Sequence, residues 1–350
     1  MRIAGRRARA GFSLIELLVV IAIIVLVISL IVPALGRVRD ASKKQDTRNL
    51  VAQLTQAMQA FQLDKKRLPG YFSQAEMGLA DNATRGFSQS QNIMLDLGGG
   101  IVSTTGPGTS LIGPMNDTAR QVRVDPSLIG TGAESSYFSP SARYFKKQNQ
   151  VDGGDRAGVP EHALIPELVD AFGTPILVWM ADNMASGGAT QSTDFARDAW
   201  ALNQRPARFY WNSNAAFLTN GVFVGDKRVD QGNAAKGSLL ASNITTRSES
   251  LVGMLGNPTT PLPNSNPNPQ ITDYLPAAPR GSFVVQSAGV DGVYLSRADA
   301  GGKLAINGTL YYGLNFKAGP LPGTTHTDSS GNARSIDVVE RFDDVIQGGS

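Results

Sequence analysis

Cysteine is absent from the 350-residue sequence. That excludes disulfide staples, thiolate nucleophiles and cysteine-ligated zinc. It does not speak for or against export, because a body of this length can bury a core without staples. Histidine is nearly absent: His162 and His326 are the only two. No nucleophile-elbow pattern accompanies them, both are expected at the surface, and no enzyme is expected. Charge is also scarce, at 17% of residues. The net charge is +3, yet four arginines (Arg2, Arg6, Arg7 and Arg9) precede the first apolar run, and the rest of the chain is close to neutral. No basic stripe remains to release phosphate counterions, so no nucleic-acid partner is expected. What the chain does have is 38 glycines, 19 prolines and 41% hydrophobic residues, the composition of a loop-rich body that contains β-structure. Gly98-Gly99-Gly100 lacks the strand, lysine and helix of a phosphate loop and reads as a plain loop. Asp152-Gly153-Gly154-Asp155 forms a turn, with a bound cation as the lesser alternative.

One long apolar run stands out. Residues 12–35 carry only Ser13, Glu16 and Ser29 as polar side chains. About 24 residues at roughly 1.5 Å each give some 36 Å, enough to cross a hydrocarbon core of about 30 Å. The arginine-rich flank before it is expected to stay cytoplasmic and the body after it outside. A cleaved secretory signal is the alternative, with Val32-Pro33-Ala34 as its cleavage site. The run is longer than a signal core, however, and it contains a carboxylate, which a signal core does not require. Intramembrane charge costs several kcal/mol unless paired, so Glu16 asks for a partner. A cut between Gly11 and Phe12 would place a new α-amine one helical turn from it. A neighbouring copy's ammonium and this carboxylate would then neutralise each other in apolar surroundings, which rewards assembly.

Gly11-Phe12-Ser13-Leu14-Ile15-Glu16-Leu17 resembles the prepilin leader of type IV pilins and type II secretion pseudopilins. The resemblance implies a membrane peptidase that cuts after Gly11 and methylates Phe12. It also implies assembly through Glu16, and a helix-loosening proline where Pro33 stands. It covers about a tenth of the chain.

Beyond the run, Val38, Ala41, Leu50, Leu54, Ala57, Met58 and Phe61 recur at three- and four-residue spacing, which predicts an amphipathic continuation packed on a sheet. Leu68-Pro69-Gly70 ends it. Residues 71–160 read as loops and short helices, and residues 161–170 as a helix. Strands are expected at residues 176–180, 209–211, 222–224 and 282–287, with Asp291-Gly292 as a turn before another strand at 293–295 and a further one within 309–316. The proline-rich residues 257–279 read as a linker.

Two further patches resemble the globular domain of major pseudopilins. Asp170-Ala171-Phe172-Gly173-Thr174-Pro175-Ile176 is similar to a family segment that has Asp, Gly and Pro where Asp170, Gly173 and Pro175 stand. Ser287-Ala288-Gly289-Val290-Asp291-Gly292 matches the family's Ser-x-Gly-x-Asp-Gly, and Asp343-Asp344 resembles its closing acidic pair. The resemblance implies calcium, with Ser287, Asp291, Asp343 and Asp344 as hard oxygen ligands. The plainer alternative is a hairpin turn and a solvated chain end. Residues 81–160, 181–280 and 296–340 are expanded relative to a compact pseudopilin.

The expectation is therefore an α+β fold, a long N-terminal helix whose outer half packs on a small antiparallel sheet with large loop insertions. Its parts are a leader (1–11), a transmembrane helix (12–35), the helix's periplasmic continuation (36–69) and an exported body (70–350). The expected role is a pseudopilin-like subunit of a type II secretion-type filament, single-pass in a bacterial inner membrane. Its partners would be its own copies and other pilin-like subunits, a prepilin peptidase, an assembly platform and the lipid bilayer. A type IV pilus subunit for adhesion, motility or DNA uptake is the near alternative; a membrane-anchored exported enzyme or binding protein is the distant one.

Overall fold

The computed structural model describes residues 14–131, 137–151, 159–185, 189, 191–219, 223–225, 237–241, 244–257, 278–299, 305–306, 309–310, 314–316 and 334–349. It divides into two units, Met1–Gln45 and Asp46–Ser350. The first described element, helix α1 (Leu14–Lys65, 52 residues), begins in the first unit and ends in the second. Gly11, Phe12, His326, Asp152 to Asp155 and nearly all of the expected linker at 257–279 lie outside the described residues.

Within the first unit α1 is rich in Val and Ile, which are indifferent helix formers in water, and every described side chain up to residue 42 is exposed. It is long and apolar enough to cross a membrane, and a helix that is apolar all round satisfies its own backbone without water. Pro33 sits inside it and Ser29 donates its hydroxyl to the Leu26 carbonyl at 2.7 Å.

In the second unit the same helix is two-faced. Thr47, Leu50, Val51, Leu54, Thr55, Ala57, Met58 and Phe61 are buried, a stripe at helical spacing. The predicted stripe began too early: Val38 and Ala41 are exposed. α1 stops one turn before Pro69, at Lys66, which takes a left-handed φ of 57° while its N–H still reaches the Gln62 carbonyl at 2.9 Å.

The principal sheet has three antiparallel strands. Two antiparallel hairpins precede it in the chain, β1 (Ser110–Ile112) with β2 (Val122–Val124) and β3 (Phe145–Lys147) with β4 (Pro166–Leu168). The sheet itself is ordered β7 (Val345–Gly349), β6 (Phe283–Ser287), β5 (Leu177–Met180). Leu177 and Trp179 of β5 join one core, while Val178 and Met180 join another. Val284 likewise separates from Phe283 and Val285. The sheet is thus covered on both faces, which is why β5 reads as an unbroken apolar run. One core holds the buried stripe of α1 and helix α2 (Gln89–Leu97). The other gathers described residues between 181 and 257, including Phe195, Phe209, Trp211, Phe217 and helix α3 (Ile244–Leu255), together with Tyr294, Val339 and Phe342. Part of the expansion expected at 181–280 thus packs as a second apolar layer.

Three local expectations fail. Residues 161–170 do not form a helix: a single 3-10 turn (His162–Leu164) leads into β4, whose Glu167 is fully buried and hydrogen-bonded to Ser88 and Gln148. The described part of the strand expected at 222–224, and Tyr294-Leu295 of that expected at 293–295, lie in turns, because the backbone there bonds to loops, as when Tyr294 N–H donates to the Phe223 carbonyl. His162 is fully buried, not at the surface.

Candidate functional site

Strand register decides which loops meet. In the sheet Ser287 lies opposite Val345, and Gln286 opposite both Ile346 and Leu177. One end of the sheet therefore collects the turn before β5, the turn after β6 and the residues before β7. These are the three patches that the sequence picked out separately.

The first turn is organised by Asp170. Its carboxylate accepts from the N–H groups of Phe172 and Thr174 at 2.8 and 2.9 Å and from the Ser287 hydroxyl at 2.6 Å. Gly173 completes the turn at a φ of 88°, a left-handed conformation that glycine adopts without a Cβ penalty. Burial pushes the Asp170 carboxyl up to about 6, against the pull of the hydrogen bonds from Ser287, Thr174 and Phe172. Ser287 is thus spent on tying this turn to β6.

Asp344 is likewise spent inside the fold. Trp179 donates its indole N–H to Gln286, Gln286 donates to Asp344 at 2.8 Å, and the Leu295 N–H donates to both Asp344 oxygens. Full burial raises the Asp344 carboxyl well above the usual carboxylate range.

Asp291 and Asp343 do meet, and the third oxygen-bearing side chain beside them is that of Asp299, not that of Asp344 or Ser287. One oxygen from each of Asp291, Asp299 and Asp343 lies within 4.8 Å of the others. Asp343 accepts from the Val290 and Asp291 N–H groups through Oδ2, while its Oδ1 is buried with no hydrogen-bond partner. Asp299 is pushed up to about 6, first by burial and then by the charge of Asp343. Gly289, at a φ of 70°, lets the loop pass so close that a Cβ would fall 2.4 Å from the Asp343 carbonyl oxygen. Three crowded carboxylates and an orphaned buried oxygen form a hard, all-oxygen donor set, which fits calcium or magnesium better than a transition metal. Asp299 was missed because Ser296-Arg297-Ala298-Asp299 has no pattern that separates it from a solvated surface aspartate.

Among the described residues no histidine joins this cluster. His162 accepts the Gly113 N–H on Nε2 and places Nδ1 3.0 Å from the Arg85 carbonyl, so both ring nitrogens are engaged in a neutral tautomer. Burial lowers its pKa to about 4.

In the first unit, Glu16 falls in the first turn of α1, and the residues that precede it in the leader pattern are Gly11 and Phe12. Residues 6–32 match the family model described as the prokaryotic N-terminal methylation motif. The chain carries a type IV pilin-like signal. No curated protein and no solved structure matches the chain significantly. The signal implies processing by a prepilin peptidase and pilin-like assembly, and together with the apolar helix it points to an anchored, pilin-like structural protein in the inner membrane. The α+β body, with a long N-terminal helix and small antiparallel sheets, is consistent with a pilin-like fold.

Proposed function

We propose that this chain is a pseudopilin-like filament subunit of a type II secretion-type system, cut between Gly11 and Phe12 and methylated on Phe12. The carrying observation is the methylation motif at residues 6–32, running directly into a helix long and apolar enough to span a bilayer. The convergence of the Asp170 turn, the Ser287–Gly292 loop and the Asp343-Asp344 pair at one end of the sheet supports the secretion-type reading over a type IV pilus subunit, because these are the segments that resemble pseudopilins. The leader is oriented to the cytoplasm by the peptidase motif and not by charge alone. Five basic residues (Arg37, Arg39, Lys43, Lys44 and Arg48) follow the apolar run, against four arginines before it.

The same reading assigns calcium to Asp291, Asp299 and Asp343. A divalent cation there would neutralise three crowded carboxylates and lock two loops to the start of β7.

N-terminal mass analysis of the membrane-extracted protein tests the processing. A methylated Phe12 terminus is expected. An intact Met1, or a terminus after Ala34, would overturn the proposal. Filaments sheared from cells should contain the chain, and loss of protein export on its deletion would separate the secretion role from a pilus role.

A further inference from the structure

The stretch of α1 immediately after the apolar run is unusually basic. Arg37 and Arg39 are exposed, Lys44 is half-buried, and none of the three side chains has an ion pair or hydrogen bond among the described residues. Asp40 is the lone carboxylate between Arg37 and Lys44. α1 is continuous here, so the helical rise places Arg37 and Arg39 about 3 and 6 Å past Leu35 and Lys44 about 13 Å past it. The headgroup layer outside a hydrocarbon core is roughly 5–8 Å thick on each side. Side chains on a helix lean toward its N-terminus, here back toward the apolar run, so Lys44 also reaches this layer along its flexible stem.

At about 100° per residue, Arg37 and Lys44 share one side of the helix while Arg39 lies nearly opposite. A protein partner would favour charge on one face. A collar of charge around the shaft suits an annulus of lipid.

We infer that Arg37, Arg39 and Lys44 form a phosphate-binding collar that holds anionic phospholipid headgroups on the body side of the membrane. The inference rests on the membrane-spanning reading above. Guanidinium forks bind phosphate oxygens bidentately, and anionic lipid adds a net negative surface that zwitterionic lipid lacks. Because the collar is separate from Glu16, it acts on the subunit while it waits in the bilayer. Entry into a filament requires the collar to release its lipids, so the anionic lipid content of the membrane sets how readily subunits leave it.

The test uses the full chain reconstituted into phosphatidylcholine vesicles with and without 30% phosphatidylglycerol. Spin-labelled phosphatidylglycerol and phosphatidylcholine report which lipid is immobilised at the protein. The expected result is a preference of about threefold for phosphatidylglycerol, weakened by 0.5 M salt and abolished in the triple variant Arg37→Gln, Arg39→Gln, Lys44→Gln. A preference that persists in the variant belongs to other basic residues, the leader arginines or Lys43 and Arg48, and overturns the collar, as does the absence of any preference. Carbonate extraction of the same vesicles separates the two readings. A chain that resists extraction yet shows no preference overturns the collar alone, whereas a chain stripped by carbonate overturns the membrane-spanning reading.

Discussion

The two ends of α1 obey different solvents. In residues 14–35 the side chains are apolar on every side and exposed, as Leu30 at 68% and Leu26 at 61% illustrate. In residues 47–61 apolar groups are confined to one stripe, and Leu54 and Met58 are wholly buried. Backbone geometry is shared, so the difference lies in what each half excludes. The outer half excludes water by packing on a sheet, and the inner half can do so only in a lipid-like or subunit-like environment. Changes in the first half should therefore register in assembly and those in the second half in the body's stability.

Glu16→Ala offers the largest effect. Membrane insertion and cleavage should persist, because removing an intramembrane charge eases insertion. Sheared filament should fall by about a hundredfold, since stranding the Phe12 ammonium without its carboxylate costs roughly 3–5 kcal/mol. Filament yield equal to wild type at equal levels of processed protein would break the charge-pair account.

Leu54→Ala against Leu26→Ala tests the comparison itself. In detergent, Leu54→Ala should destabilise the body by about 2–5 kcal/mol through the cavity it leaves, read as a lower Tm. Leu26→Ala should leave the Tm unchanged, because that side chain is exposed and belongs to neither described core. Equal shifts would mean that the two halves do not differ in the way described.

A third prediction concerns His162, whose folded-state pKa of about 4 lies below its ordinary value of 6.5. The folded state binds fewer protons, so the stability that His162 permits is fully present above pH 6.5. It is lost as pH falls toward 4, by about 3 kcal/mol in all. Asp170, raised to about 6, acts in the opposite direction over nearly the same window, so the wild-type profile alone conceals the effect. Subtracting the profile of His162→Gln should expose it. A difference curve that is flat between pH 6.5 and 4 would mean that the imidazole is not held neutral.

Calcium gives the smallest increment. At a hundredfold excess over Kd it should raise stability by about 2.7 kcal/mol. Asp299→Asn should remove that increment and Ser287→Ala should retain it, although Ser287→Ala lowers the calcium-free Tm by releasing the Asp170 turn. Magnesium should substitute poorly because of its tighter octahedral demand. A Tm indifferent to calcium and chelator would leave the aspartates as a turn.

Much of this was legible in the sequence because it is local. The apolar run, the stop near Pro69, and the strands at Leu177–Met180 and Phe283–Ser287 follow from periodicity over a few residues. Asp170, Ser287 and Asp343 were visible as separate patches. What was hidden was their pairing: that Ser287 would spend its hydroxyl on Asp170, that Asp344 would turn inward to Gln286, and that Asp299 would take the third position. Those outcomes depend on strand register and on loops far apart in sequence. Within the expansion expected at 181–280 the strand at Phe209–Tyr210 was legible, but the second core was not, since its short apolar patches cohere only when gathered against the far face of the sheet.

The central strand has a consequence for timing. β6 meets one neighbour after a detour of roughly a hundred residues and the other after one of roughly sixty, so both pairings require long loops to close before any ladder forms. Such non-local contacts make folding slow, on the milliseconds-to-seconds side of the usual range. Until both partners arrive, β6 has two open edges of apolar sequence, the kind of segment that pairs with other chains. On the reading proposed above, in which the body is exported, those edges stay open to other chains until the two distant partners have closed on β6.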